Sequence, residues 1–180
     1  MTPRPQPAHT TNTGTGTAGA GWLALDHQLC FALYAASLAM TKAYKPLLAP
    51  LGLTYPQYLV LLVLWEGDGI TVSQLGERLT LDSGTLTPLL KRLEAQALVQ
   101  RLRDVADERR VLLRLTPAGR ALRARAEAVP QAIACATACD LQQIGALAGQ
   151  LHGLRRQLQV TPVPLVPADG PAPPSTPATP

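Results

Sequence analysis

Residues 71–116 read TVSQLGERLTLDSGTLTPLLKRLEAQALVQRLRDVADERRVLLRLT. A threonine followed three residues later by glutamine is the pattern of a capping box at the start of a helix. A short helix is expected there, followed by a second helix in which leucines recur at helical spacing. Two short segments, Val99–Arg103 and Val111–Leu115, have the composition of strands, and the polar loop 104–110 joins them. This order of elements is typical of a winged helix-turn-helix.

The second of these helices has two different faces. Its leucines form one apolar stripe, and the opposite face is polar. A polar helix face of this kind suits base edges in the major groove, and hydroxyls at the helix start suit phosphates or bases. The candidate DNA contacts are Ser83, Thr85, Thr87 and Lys91, with Arg92 as a phosphate contact at the edge of the face.

The start of this helix stays open between two possibilities. If Thr85 is the cap, Pro88 falls within the first turn, where proline is tolerated. If Asp82 or Ser83 is the cap, Pro88 lies further inside and bends the helix.

Two helices are predicted before the winged module. Apolar residues three and four apart indicate the first at about 25–48, with Asp26 as its cap and Leu25 packed on Cys30. The second begins after Tyr55, with Pro56 as its first residue, and ends at a glycine-rich break.

Two helical regions are also predicted after the module, at about 116–159. A long basic helix runs from Thr116 toward Pro130, and a last helix begins at Asp140 with a seam of leucines. The flanking helices at 25–48 and 116–159 carry more apolar surface than a small winged helix covers. A homodimer is therefore expected, with intrachain packing as the alternative.

The chain has 180 residues and a formal net charge of +4. Residues 82–125 hold ten lysines and arginines against five acids, whereas the rest of the chain holds six against seven. All the excess positive charge thus lies in the segment 82–125, as expected for a phosphate-binding surface. A solvated basic face would have the same composition.

Composition also sets the limits of the domain. Residues 1–21 are rich in Thr, Gly, Pro and Ala, and residues 160–180 in Pro and Ala, so both are expected to be disordered tails. One domain is expected at 22–159, with the winged helix at about 55–115. No apolar run is long enough to cross a membrane, and no export signal is visible, so a reducing cytoplasm with free thiols is expected.

Three strings of residues carry a family resemblance. They are LDHQLCFALY at 25–34, LTYPQY at 53–58 and LDSGTLTPLLKRL at 81–93. Together with the wing sequence DERRVLLRLTP at 107–117, they resemble the MarR family of transcription regulators, and more narrowly its organic hydroperoxide regulators (OhrR). The resemblance covers about residues 22–158.

The resemblance implies a repressor that is controlled by thiol oxidation. In that subgroup a reduced dimer binds an operator, and an organic hydroperoxide oxidises the cysteine that matches Cys30, which releases the DNA. It also implies that Tyr44 and Tyr55 donate hydrogen bonds to the sulfur and that Tyr34 lies near it. The first helical turn would add N–H donors, and apolar neighbours would favour organic peroxides over hydrogen peroxide.

In the wing, the resemblance places Arg109 in the minor groove, with Asp107 bracing it. Arg110 is either a further DNA contact or an ordinary exposed residue.

Helix length adds a constraint to the sensor. Cys30 and Tyr44 are fourteen residues apart, about 21 Å along a straight helix. If the tyrosine contacts the sulfur, it most simply comes from the other subunit.

Two further cysteines could resolve the oxidised sulfur. Cys135 and Cys139 are four residues apart, hence on one face if helical, and register with the two-cysteine regulators favours Cys135. Either could instead be a small buried side chain. A zinc site with His152 lacks a fourth ligand, so neither a metal nor a cofactor is expected.

Two alternatives remain. The chain could be a MarR-type repressor that responds to a small phenolic ligand, with Cys30 as inert packing. It could also be a thiol peroxidase, but such enzymes place an arginine beside the thiol and have no use for a wing. The sequence is therefore interpreted as a regulator and not an enzyme.

Overall fold

The computed structural model describes residues 23–104, 107 and 110–162. It is mainly helical with one small sheet, so the predicted fold class is confirmed. In chain order the elements are α1 (Leu29–Leu48), α2 (Tyr55–Glu66), β1 (Ile70–Thr71), α3 (Val72–Leu79), α4 (Ser83–Ala95), β2 (Val99–Arg103), β3 (Val111–Leu115), α5 (Pro117–Ala126), α6 (Ala128–Thr137) and α7 (Leu141–Val160). The chain divides into two compact units, and the boundary lies between Val129 and Pro130.

The first unit has its core around α2. This helix is apolar on nearly all sides, as expected for a helix buried by its neighbours. The leucine stripe of α4 packs into the same core, with Leu86, Leu90 and Leu93 at most 1% exposed. The sequence pattern therefore predicted the buried face of α4 correctly.

Three antiparallel strands form the sheet, in the order β1–β3–β2. The hairpin pairs Val99 with Leu115 and Arg103 with Val111, within the strand limits that the sequence predicted. The sequence did not predict β1, because two residues between helix signals carry no strand pattern of their own. β1 is held by the register of Ile70 with Leu113.

The start of α1 differs from the prediction. Leu25–His27 form a separate 3₁₀ turn, and α1 begins at Leu29 with Gln28 as its cap residue. Asp26 is therefore not the cap, and the expected staple between Leu25 and Cys30 is wrong. Cys30 is the second residue of α1 and still lies in its first turn.

The basic helix after the wing is shorter than expected. α5 ends at Ala126 and α6 begins at Ala128, so the break precedes Pro130 by several residues. A proline ring clashes with the carbonyl four residues earlier, which here belongs to Ala126. The proline thus ends the preceding helix and lies in the first turn of α6, where its missing N–H is tolerated.

In the second unit, α7 begins where the sequence predicted. Asp140 caps it, with its carboxylate accepting from the Gln143 N–H at 2.7 Å, and Gln143 completes the capping box. Several leucines of α7 are exposed, among them Leu147 and Leu158.

In the described part of the chain, no single helix is both long and apolar enough to span a membrane. Only residues 29–51 taken together with α2 reach that length and composition, and the two parts meet at 70°. Most of α2 is buried inside the first unit.

Candidate nucleic-acid interface and redox site

The turn between α3 and α4 is closed by backbone. The Leu81 N–H donates to the Gly76 carbonyl at 2.9 Å, and a Cβ on Gly76 would lie 2.8 Å from the Leu81 carbonyl oxygen. Only glycine therefore permits this approach. At the other end of α3, Thr71 and Gln74 form the predicted capping box.

Asp82 is the cap of α4, which settles the choice that the sequence left open. Its carboxylate accepts from the Thr85 N–H at 2.8 Å and from the Thr85 hydroxyl at 3.0 Å. These two hydrogen bonds, the backbone one first, hold the pKa of Asp82 below its usual value. Pro88 consequently lies inside the helix rather than in its first turn.

The predicted DNA contacts are all exposed on α4, but two of their hydroxyls already donate hydrogen bonds. Thr87 donates its hydroxyl proton to the Ser83 carbonyl at 2.7 Å, and Thr85 donates to Asp82. Each of these two hydroxyls keeps its oxygen as an acceptor. Lys91 and Arg92 are exposed and have no carboxylate within 4.0 Å in residues 23–104, 107 and 110–162.

The base of the wing is fixed by Arg101, which sequence reasoning missed. Its guanidinium Nε lies 3.0 Å from a Glu94 carboxylate oxygen, and an Nη donates to the Thr87 carbonyl at 3.5 Å. β2 is thereby tied to α4. An arginine facing the glutamate of a preceding helix is a common surface pattern, so the sequence carried no distinct signal for it.

The hairpin tip is closed by backbone bonds around Arg110. Its carbonyl accepts from the Asp104 N–H, and its N–H donates to the Asp107 carbonyl, both at 2.9 Å. The Arg110 side chain is exposed and its guanidinium lies 3.9 Å from the Asp104 carboxylate. Arg109 lies outside the described residues, so its predicted contact and its bracing by Asp107 stay predictions.

Cys30 is exposed at the start of α1. No side chain caps this helix end, because the Gln28 side chain donates backward to the Ala24 carbonyl. The first N–H groups of α1 have no intrahelical acceptor and are available to an anion. Tyr34, one turn further along α1, is also exposed and lies on the same side of the helix.

Tyr44 and Tyr55 form one cluster with the buried Tyr58. The ring centroids of Tyr44 lie 4.6 Å from Tyr55 and 6.0 Å from Tyr58. Burial raises the pKa of all three phenols, and the neighbouring phenols raise that of Tyr44 further. The hydroxyls are therefore protonated donors at neutral pH.

The chain does not bring Cys30 to this cluster by itself. Cys30 and Tyr44 belong to one continuous helix of 20 residues and are fourteen residues apart, about 21 Å of helical rise.

The two other cysteines do not share a helix face. Cys135 is exposed near the end of α6, which stops at Thr137. Ala138 has a φ of +52°, and Cys139 follows it with its thiol donating to the Thr137 carbonyl at 3.3 Å. The two cysteines are not in one helix, so the condition for a shared helix face is not met. Within the described ranges, no three His, Cys, Asp or Glu side chains come together as a metal site.

An open groove of about 380 Å³ lies beside α5 and is lined in part by Trp65, Arg120 and Arg123. Arg120 is paired with the Asp68 carboxylate at 2.7 Å, and Trp65 donates its indole N–H to the Gly119 carbonyl at 2.9 Å. These contacts hold α5 against the end of α2.

Comparison with known proteins places this geometry in a family. The family model for the transcriptional regulators SarA/Rot matches residues 42–125. The HTH-type transcriptional regulator TtmR of Methylorubrum extorquens is 53% identical over 134 residues, which are 74% of this chain and 69% of TtmR. The organic hydroperoxide resistance transcriptional regulator of Bacillus subtilis is 57% identical over 109 residues, 61% of this chain and 74% of that protein.

The chain belongs to the MarR family of transcriptional regulators. Within that family it is similar to the organic hydroperoxide regulators. AbfR, known from Staphylococcus epidermidis, agrees in fold: its reduced, DNA-bound structure has a TM-score of 0.61 at 37% identity and covers 76% of this chain and 96% of that one. The protein is thus a DNA-binding regulator with a winged helix. Because these relatives are transcriptional regulators, the prediction that the chain is not an enzyme is confirmed.

Proposed function

We propose that this regulator is a homodimeric repressor that organic hydroperoxides release from its operator by oxidising Cys30. The observation that carries the proposal is the place of Cys30, exposed in the uncapped first turn of α1, in a chain 57% identical to an organic hydroperoxide resistance regulator. The N–H groups of that turn stabilise a thiolate, which is the form that attacks peroxides.

The chemistry is a two-electron transfer. The Cys30 thiolate attacks one peroxide oxygen, the O–O bond breaks, and the alkoxide leaves and takes up a proton to become an alcohol. The sulfur is oxidised to sulfenic acid and the peroxide is reduced. A second thiol, Cys135 by preference and Cys139 or a small external thiol otherwise, then displaces water to form a disulfide. Solved forms of AbfR include a disulfide form and an overoxidised, DNA-bound form.

The dimer rests on apolar surface that each unit leaves exposed. In the first unit, Leu29 and Leu38 of α1 are more than half exposed. In the second, Leu147 and Leu158 of α7 are as well. Apolar side chains left open to water are costly and suit a second copy of the chain. Such a dimer also brings Tyr44 and Tyr55 of one protomer to Cys30 of the other.

DNA is read by α4 and by the wing. Lys91 and the hydroxyls of Ser83, Thr85 and Thr87 face the major groove, and Arg92 contacts a phosphate. Arg109 enters the minor groove, Asp107 braces it, and Arg110 adds charge at the wing tip.

Operator binding tests the proposal. Wild type and Cys30→Ser are compared with and without cumene hydroperoxide, followed by a thiol reductant. We expect wild type to lose the operator and regain it on reduction, whereas Cys30→Ser stays bound. A serine variant that still releases the DNA on peroxide would overturn the proposal, and release by a phenolic acid instead would favour a ligand-responsive repressor.

A further inference from the structure

Gln57 is the one fully buried polar side chain among the described residues, with 3% of its surface exposed. Its amide oxygen accepts from the Thr54 N–H at 2.8 Å and from the Thr54 hydroxyl at 3.0 Å, which closes the capping box of α2. Its amide nitrogen points the other way and donates to the Gln96 amide oxygen at 3.4 Å. The capping box uses only the amide oxygen, which leaves the amide nitrogen available to Gln96.

Gln96 is the residue that ends the recognition helix. Its N–H donates to the Arg92 carbonyl at 3.0 Å, as the cap residue of α4. Its side-chain nitrogen donates to the Gly52 carbonyl at 2.8 Å. Gly52 has a φ of +68° and ends the 3₁₀ turn between α1 and α2. The Gln96 amide thus holds the C-terminal end of α4 to the α1–α2 corner by two hydrogen bonds.

The same corner carries two of the sensor tyrosines. Tyr55 is the first residue of α2 and directly follows Thr54, which Gln57 binds. Tyr44 approaches the corner from α1 and its ring lies against that of Tyr55. A shift of this corner changes the hydrogen bonds of a buried amide, and a buried amide left without partners is costly. Movement at the tyrosines therefore favours movement of the end of α4.

We propose that the Gln57–Gln96 amide pair couples the tyrosine corner to the recognition helix, so that Gln96 positions α4 according to the state of the sensor. The proposal rests on the peroxide response proposed above. Gln96 is itself exposed, and its amide oxygen is the acceptor for the buried Gln57 amide nitrogen. Its two hydrogen bonds reach different parts of the corner, the Gln57 side chain in α2 and the Gly52 backbone before it. Such a tie restricts the orientation of a helix end.

The experiment measures a ratio rather than one affinity. Operator Kd is determined by fluorescence anisotropy for the reduced protein and for the protein oxidised with cumene hydroperoxide, and the ratio of the two values is the coupling. The variants are Gln96→Ala and Gln96→Met, the second of which keeps the length of the side chain without its hydrogen bonds. Gln131→Ala, an exposed glutamine of α6, is the matched control.

We expect both Gln96 variants to lower the ratio by about threefold or more, with Gln131→Ala at the wild-type ratio. A purely structural role would weaken both redox forms by the same factor and leave the ratio unchanged. An unchanged ratio in Gln96→Ala, or a wild-type ratio in Gln96→Met, overturns the coupling. A wild type that keeps its operator on oxidation overturns the proposed function itself, so the two failures are distinct.

Discussion

The rings of Tyr44 and Tyr55 lie 4.6 Å apart, centroid to centroid, although they come from different helices. Burial raises the pKa of both phenols, so their hydroxyls stay protonated at neutral pH. Two protonated hydroxyls side by side provide donors and suit an anion such as a thiolate. The uncapped turn around Cys30 offers N–H donors of the same kind, and the proposed sensor combines both sets of donors around one sulfur.

Replacing both tyrosines by phenylalanine tests the donor role. In the variant Tyr44→Phe/Tyr55→Phe we expect Cys30 to be oxidised more slowly by about tenfold or more, because a hydrogen bond to a charged group contributes about 1.5–3 kcal/mol. The rate is measured by stopped-flow with cumene hydroperoxide. Tyr58→Phe, which changes the buried third ring of the cluster, is the control and should keep the wild-type rate. Equal rates in all three proteins would exclude the tyrosines from the sensor.

The same cluster predicts a loss of stability at alkaline pH. The pKa values of Tyr44, Tyr55 and Tyr58 are raised above the ordinary 10.0, mainly by burial. The unfolded chain therefore releases these protons at a lower pH than the folded protein. Their contribution is fully present below pH 10.0 and is lost as pH rises from there through the folded values.

The measurement is the urea midpoint at a series of pH values from 8 to 11.5, roughly the range in which phenols ionise. The urea midpoint of the triple variant, with phenylalanine at all three positions, should fall less steeply above pH 10 than that of wild type. Tyr34→Phe removes an exposed phenolic hydroxyl outside the cluster and should follow the wild-type curve. Parallel curves for wild type and the triple variant would show that these three phenols do not cause the alkaline loss of stability.

Much of the first unit could be predicted from local sequence. The limits of both wing strands and the cap of α3 follow from patterns within a few residues, and the structure has them as expected. The start of α1 could not be predicted, because Asp26 has the composition of a cap but lies in a separate 3₁₀ turn. Strand β1 depends on its partner β3, which is distant in sequence.

The candidate site likewise has a part that the sequence could predict and a part that it could not. Residue types and resemblance indicated Cys30 and the tyrosines, since reactive chemistry is carried by few side chains. The contacts that join the elements around them were not predictable. Gln57 looks like an ordinary helix residue in the sequence, and its bond to Gln96 spans 39 positions. Arg101 and Asp68 likewise acquire their roles only from partners that the fold brings near.

Lys91 tests the recognition helix through salt dependence. A lysine that binds a phosphate displaces about one counterion, so Lys91→Ala should lower the slope of log K against log salt by about 0.9 if it binds backbone. If it reads a base instead, the variant should relax sequence preference and leave the slope nearer to wild type. Lys42→Ala removes the same charge from α1 and should change neither quantity. Identical slopes and preferences for Lys91→Ala and wild type would remove it from the interface.

Replacing Asp68 tests whether its carboxylate holds the sheet to α5. Its carboxylate accepts from the Leu115 N–H at 3.0 Å and from Arg120 at 2.7 Å. Because Leu115 is buried, Asp68→Ala leaves its N–H without a partner and should destabilise the protein by about 1–3 kcal/mol. Glu66→Ala breaks the exposed Arg78–Glu66 pair and should cost at most about 1 kcal/mol. The free energy of unfolding is measured in urea for both variants. Equal losses of stability would show that Asp68 is only a surface charge.

Mixed dimers test whether the sensor is shared between protomers. Neither Cys30→Ser nor Tyr44→Phe/Tyr55→Phe should oxidise quickly as a homodimer, the first for lack of sulfur and the second for lack of donors. A heterodimer of the two carries one intact Cys30 in the tyrosine variant and one intact tyrosine pair in the serine variant. Because α1 separates Cys30 from Tyr44 by about 21 Å within one chain, these intact halves meet only across the interface.

We therefore expect the heterodimer, assembled from differently tagged chains, to regain oxidation of its single thiol at the wild-type rate. Half of the sites in such a dimer are complete and the other half contain neither the sulfur nor the donors, so the trace should show one fast phase. Oxidation as slow as in the tyrosine variant alone would mean that each Cys30 is served by tyrosines of its own chain. That result would require α1 to bend or unwind between residues 30 and 44, since a continuous helix holds the two side chains apart.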